Sequence, residues 1–99
     1  MPYPRPRDVR SPRAHWALIH VLADEGEGEH SVAVGLWDDQ PVLALRWNGG
    51  GEDGALGNPQ SRGLPTWFIV PEKFNSAVLS ELPEGKRALA QAVLRRGEG

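Results

Sequence analysis

Three stretches of the chain predict an α+β fold, a four-stranded antiparallel meander followed by one or two C-terminal helices. Ser31 to Asn48 sets β-branched, aliphatic and aromatic residues on either side of Asp38-Asp39-Gln40-Pro41, the pattern of a hairpin. Ala14 to Ala23 is apolar nearly throughout and supplies a strand ahead of that hairpin. Thr66 to Val70 is a further β-prone run, and the Pro71-Glu72 that follows suits the first turn of a helix.

Taken in order, residues 1–13 hold four prolines and four arginines with almost nothing to bury, and read as a flexible Pro/Arg-rich arm, solubilising or in touch with an anionic partner. One α+β domain is expected over residues 14–96. The acidic, glycine-interrupted Asp24 to His30 turns the first strand into the second. If Asp38 to Pro41 forms the hairpin loop, Trp37 lies opposite Val42, and Leu36, Val34 and Val32 lie opposite Leu43, Leu45 and Trp47. Leu18, His20 and Leu22 are expected to extend that face. The other face carries Ala33, Gly35, Trp37, Val42, Ala44 and Arg46, joined by Ile19 and Val21. It is too apolar to stay wet, so a helix or a second copy of the chain is expected against it.

Asn48 to Pro65 is a glycine-rich run without periodicity, and loops of this length are uncommon unless functional or disordered. Its second half, Asn58 to Pro65, is richer in side chains that bond and fix backbone, and reads either as a structured, ligand-facing segment or as an inert connector. Beyond it, Phe74, Ala77, Val78 and Leu82 form one helical stripe, and Leu89, Ala92, Val93 and Leu94 a second over Lys86 to Arg96.

The length, 99 residues, allows one core. With no cysteine there are no disulfides or thiolate metal sites, and no apolar run approaches the ~20 residues of a membrane span. No secretory signal follows Met1, so a soluble, cytoplasmic protein is expected. The net charge of −2 divides into +3 on residues 1–13, where four arginines face Asp8, and −5 on the remainder. That acidic body argues against nucleic-acid binding by the whole surface.

Candidate chemistry is sparse. His15, His20 and His30 share no metal-ligand spacing, and Asp24, Glu25, Glu27 and Glu29 lack the spacing of a calcium loop. Ser61 has no nucleophile-elbow context, and the glycines of 49–57 come without a phosphate-binding lysine. Neither an enzyme nor a cofactor is expected. Four tryptophans are more informative: Trp37 and Arg46 on one sheet face, with Arg62 and Trp67 nearby, would make a stacking platform for a nucleic-acid strand. The alternative is that tryptophans of this kind fill a core or a dimer interface.

From Ser31 to Leu82 the order of parts resembles the positive-cofactor-four transcriptional coactivator family and its bacterial single-strand-binding relatives. The likeness lies in Val42-Leu43-Ala44-Leu45-Arg46-Trp47, the Gly-rich loop, the short strand and the Pro71-Glu72-Lys73-Phe74 helix opening. It implies a homodimer that binds single-stranded DNA, with Arg46, Trp47, Arg62 and Trp67 as strand-binding candidates. The loop departs from the family pattern, with Glu52 and Asp53 where lysines are expected. Two functions follow from these readings. One is a single-stranded DNA or RNA binder, an accessory factor in transcription or replication. The other is a small acidic module that regulates or inhibits a protein partner through its long Gly-rich loop and sheet.

Overall fold

The structure, a computed structural model, describes residues 3–98. Strands β1 (Trp16–Asp24), β2 (His30–Trp37) and β3 (Gln40–Trp47) form a meander. Within the long loop, β4 (Gln60–Ser61) and β5 (Leu64–Pro65) pair as a minimal hairpin. Strand β6 (Phe68–Ile69) then returns to the main sheet, whose order is β1-β2-β3-β6 and whose pairings are all antiparallel. A 3-10 turn at Glu72–Phe74 leads into α1 (Asn75–Ser80), and α2 (Glu84–Leu94) ends in a 3-10 turn at Arg95–Glu98. This is the expected α+β class.

The central hairpin closes more tightly than its sequence suggests. Asp38 and Asp39, at φ 48° and 70°, make a two-residue turn, and Trp37 pairs with Gln40 rather than lying opposite Val42. Two positive φ values suit a primed turn, whose twist matches the strands, and aspartate tolerates that region better than most residues. Pro41 therefore belongs to β3, opposite Leu36. One step beyond the pair that closes the turn, that position needs no N–H toward β2, and β6 reaches only as far as Ala44 and Leu45 on the other side. The register is displaced by two residues from the expected one, and an even displacement leaves every side chain on its expected face.

Val32, Val34 and Leu43 accordingly join Leu22, Val70, Leu82, Ala90 and Val93 in the core between sheet and helices. Strand β1 corrects the expectation. Leu22 lies in the helix-side core as expected, but two register shifts, between Leu18 and His20 and between Val21 and Ala23, bring Ile19 there too and put Leu18 with the opposite face. A bulge adds one residue on one strand, so a strict period of two cannot be carried through it.

The second face is covered by the chain itself. Val9, Trp16, Ala33, Ala44 and Trp67 form a second buried cluster. The arm expected to be flexible is packed: Pro6 and Val9 are buried, the Trp67 indole N–H donates to the Val9 carbonyl at 2.7 Å, and Ser11 bridges Thr66 in parallel. One valine and one proline suffice because an apolar face stood open to receive them. The expectation of a second copy against this face drew on its being open, and here the face is covered by the arm. At Gly35 the Trp16 ring lies so close that an added Cβ would fall 2.6 Å from it and 2.4 Å from the Ala17 carbonyl oxygen.

The helical stripes also shift. Leu82, Ala90 and Val93 are buried and Val78, Leu79 and Leu94 partly so, whereas Phe74, Ala77, Leu89 and Ala92 are exposed. The 3-10 opening advances 120° per residue instead of 100°, which turns Phe74 away from the sheet. Its ring instead lies under the Lys73 ammonium, 5.3 Å from the centroid.

Candidate functional site

The four residues expected to form a platform do not share a surface. Trp67 is buried, beside Trp16 at 6.4 Å between ring centroids. Arg46 is only 2% exposed, its Nη1 and Nη2 donating to the carbonyls of Thr66 and Leu56 while Nε has no partner among the described residues. Burial pushes its pKa below the ordinary arginine value, because the charged form loses water without gaining a carboxylate. Arg62 is exposed in the β4–β5 turn at φ 53°. Trp37 is half-buried, and the His15 ring stacks on it at 5.4 Å while His15 Nδ1 lies 2.7 Å from the Asp38 carboxylate.

What Arg46 does is fasten the long loop to β3. Its two carbonyl partners stand ten and twenty residues downstream, and Asn58 and Trp47 exchange backbone hydrogen bonds at 2.7 and 3.1 Å. Gly57, at φ 79°, fits beneath this clamp because an added Cβ would stand 2.0 Å from the Trp47 carbonyl oxygen and 2.7 Å from Arg46 Nη2. The fully buried Asn48 fastens the other side, accepting from the Ser31 hydroxyl at 2.6 Å and donating to the Gly26 carbonyl at 2.7 Å and to Asp24 at 3.1 Å.

These fastenings frame a largely apolar hollow of about 610 Å³, walled by His30, Leu45, Arg46, Trp47, Asn58, Pro59 and Phe68. Alternation along β3 puts Trp47 on the helix-bearing side with Leu43 and Leu45, and Phe68 pairs with Leu45, yet neither helix covers the two rings. Trp47 is 56% exposed and Phe68 54%. His30 meets the Trp47 indole edge-on at 6.3 Å. A second hollow, near α1, is lined by Glu72, Asn75 and Ser76 as well as Val42, Val70 and Leu79, and has no exposed aromatic wall.

The acidic turn, which ends at His30, is tied to the start of the Gly-rich loop. The Gly28 N–H donates to the Gly49 carbonyl at 2.8 Å, the Asn48 N–H to the Glu29 carbonyl at 2.8 Å and the Gly51 N–H to the Glu27 carboxylate at 3.0 Å. That last bond holds the Glu27 carboxyl below its ordinary pKa. Among the described residues, no group of three or more His, Cys, Asp or Glu could hold a metal ion, and no helix is long and apolar enough to cross a membrane.

Of this site, sequence reasoning reached Trp47 through the family resemblance alone, reached Asn58 and Pro59 only as part of a loop half that is either ligand-facing or an inert connector, and missed His30 and Phe68. Phe68 carried no usable signal, because a short β-prone run looks the same whether or not a helix covers it. No protein-family model matches the chain, and no curated protein or solved structure does so either.

Proposed function

We propose that the protein is a non-enzymatic protein-interaction module whose partner docks in the hollow between the end of β3, the Gly-rich loop and β6. The observation that carries this reading is that Trp47 and Phe68, two aromatic side chains each more than half exposed, line one hollow beside a loop clamped by Arg46. Single exposed apolar residues are ordinary, but a contiguous aromatic patch rimmed by polar groups marks an interaction site. Tryptophan is among the residue types that most often dominate binding energy. The hollow also lies beside β6, a two-residue edge strand that an extended segment could lengthen. Its one imidazole, His30, faces an indole edge and not a nucleophile, which favours binding over catalysis. The test compares proteins retained from nuclease-treated host lysate by the wild type and by Trp47→Ala, each candidate then being reconstituted in purified form. A partner lost with Trp47 is expected; retention indifferent to Trp47 contradicts the reading.

Single-stranded DNA or RNA binding is a second reading, favoured by a different observation. The packed arm holds Arg5, Arg7, Arg10 and Arg13 exposed, and its Val9 belongs to the cluster on which Trp37 packs. With Arg46 and Trp67 in the interior, the footprint passes to those arginines and Trp37. Polarisation of a labelled oligothymidine tests it: every arginine that pairs with a phosphate should, when changed to alanine, lower the salt slope by about one unit.

A further inference from the structure

Resting on the protein-docking reading, we infer that the occupant of the Trp47–Phe68 hollow is a short cationic segment, with Lys or Arg flanking a single apolar anchor. Two observations select it. The first is size: Trp47 and Phe68 each leave roughly half of a side chain exposed, which offers on the order of 200 Å² of aromatic surface. A stable dimer needs about 800 Å² per partner, so one anchoring side chain fits where a second copy of the chain is undersupplied.

The second is charge. His30, on the hollow's wall, ends an acidic turn tied to the loop through Gly49, Asn48 and Gly51; the Asp24 carboxylate is bonded to Tyr3, Gly26 and Asn48 and that of Glu27 to the Gly51 N–H, while the Glu25 N–H donates to the His30 carbonyl at 3.0 Å. Glu25 and Glu29 are exposed. The one lysine or arginine among the lining residues, Arg46, is buried with both terminal nitrogens bonded to carbonyls. Two exposed carboxylates, Glu25 and Glu29, thus stand in the turn that leads into the aromatic wall at His30, a charge that favours ammonium and guanidinium groups over phosphates and acidic peptides. Both rings also present faces on which a cation can rest.

An array of random short peptides, probed with labelled wild type, Trp47→Ala and the double variant Glu25→Gln/Glu29→Gln, tests the assignment, circular dichroism confirming that each variant is folded. Retained peptides are expected to combine Lys or Arg with Leu, Phe or Trp, to lose binding with Trp47→Ala, and to weaken about 3- to 10-fold in the double variant, as two exposed ion pairs would. Trp47-dependent binding with no basic bias, or untouched by the double variant, overturns the cationic class and leaves the hollow as a docking site. No Trp47-dependent binding at all overturns both, as does a dimer in sedimentation that Trp47→Ala dissociates.

Discussion

The indole N–H of Trp67 donates to the carbonyl of Val9 at 2.7 Å, joining the residue that leads into the last strand of the sheet to an arm 58 residues earlier. This bond, with the buried Val9 side chain, converts a proline- and arginine-rich segment into the cover of one sheet face. Trp67→Phe keeps most of the ring and removes the donor, leaving a buried carbonyl unpaired. It is expected to cost about 1–3 kcal/mol in urea melts; an unchanged midpoint would mean that the arm is not held there.

Tyr3 reports the far end of the same arm. Its hydroxyl donates to both Asp24 carboxylate oxygens at 2.9 Å, and that hydrogen bond is the main cause raising its pKa above the ordinary value of 10.0. The contribution of a group whose folded pKa is raised is complete below the unfolded value and lost as pH rises through the folded one, so the arm's attachment should weaken only above pH 10. Tyr3 is the sole tyrosine, and phenolate absorbance reads it alone. The expected midpoint lies above 10.0; one at or below it would place Tyr3 away from Asp24.

Val34 and Phe74 separate core from surface. Val34 is fully buried against the helices, so Val34→Ala should cost about 2 kcal/mol through reduced burial and the cavity left behind. Phe74 is 51% exposed, and Phe74→Ala should shift stability by no more than about 0.5–1 kcal/mol, as surface changes do. Equal large losses would put Phe74 back on the sheet.

Gly57→Ala places a methyl against the Trp47 carbonyl at a positive φ, and should destabilise by about 3 kcal/mol or more through strain and overlap together. Gly51, also at positive φ but with open space around it, should accept alanine at about 1 kcal/mol. Thermal melts of the two variants distinguish a clamped loop from a loose one, which would treat both alike.

How much of this was legible in sequence follows from which signals survive small errors. The two faces of the central hairpin were readable because a period of two is unchanged by the two-residue displacement that Pro41 introduced. The faces of β1 were not, since nothing in Leu18-Ile19-His20-Val21-Leu22 announces two irregularities. Trp37 and Arg46 do lie on one face, as alternation predicts, but alternation says nothing about an arm folding over that face. Arg46 thus reads as a surface cation and is a buried clamp. The hollow needed the third dimension: Trp47 and Phe68 are 21 positions apart and line one hollow because β6 pairs with β3 at Leu45.

The docking hollow is tested most directly by amide and indole NMR on the uniformly labelled protein, titrated with a Trp47-dependent peptide from the array. Four tryptophans give four indole N–H signals, each in a different environment. Trp47 is expected to shift strongly, together with the amides of Asn58 and Phe68, while the buried Trp16 and Trp67 stay in place. Shifts confined to Trp37 and the amides of the arginine-bearing arm, with Trp47 unmoved, would contradict the docking site and put binding on the opposite face of the sheet.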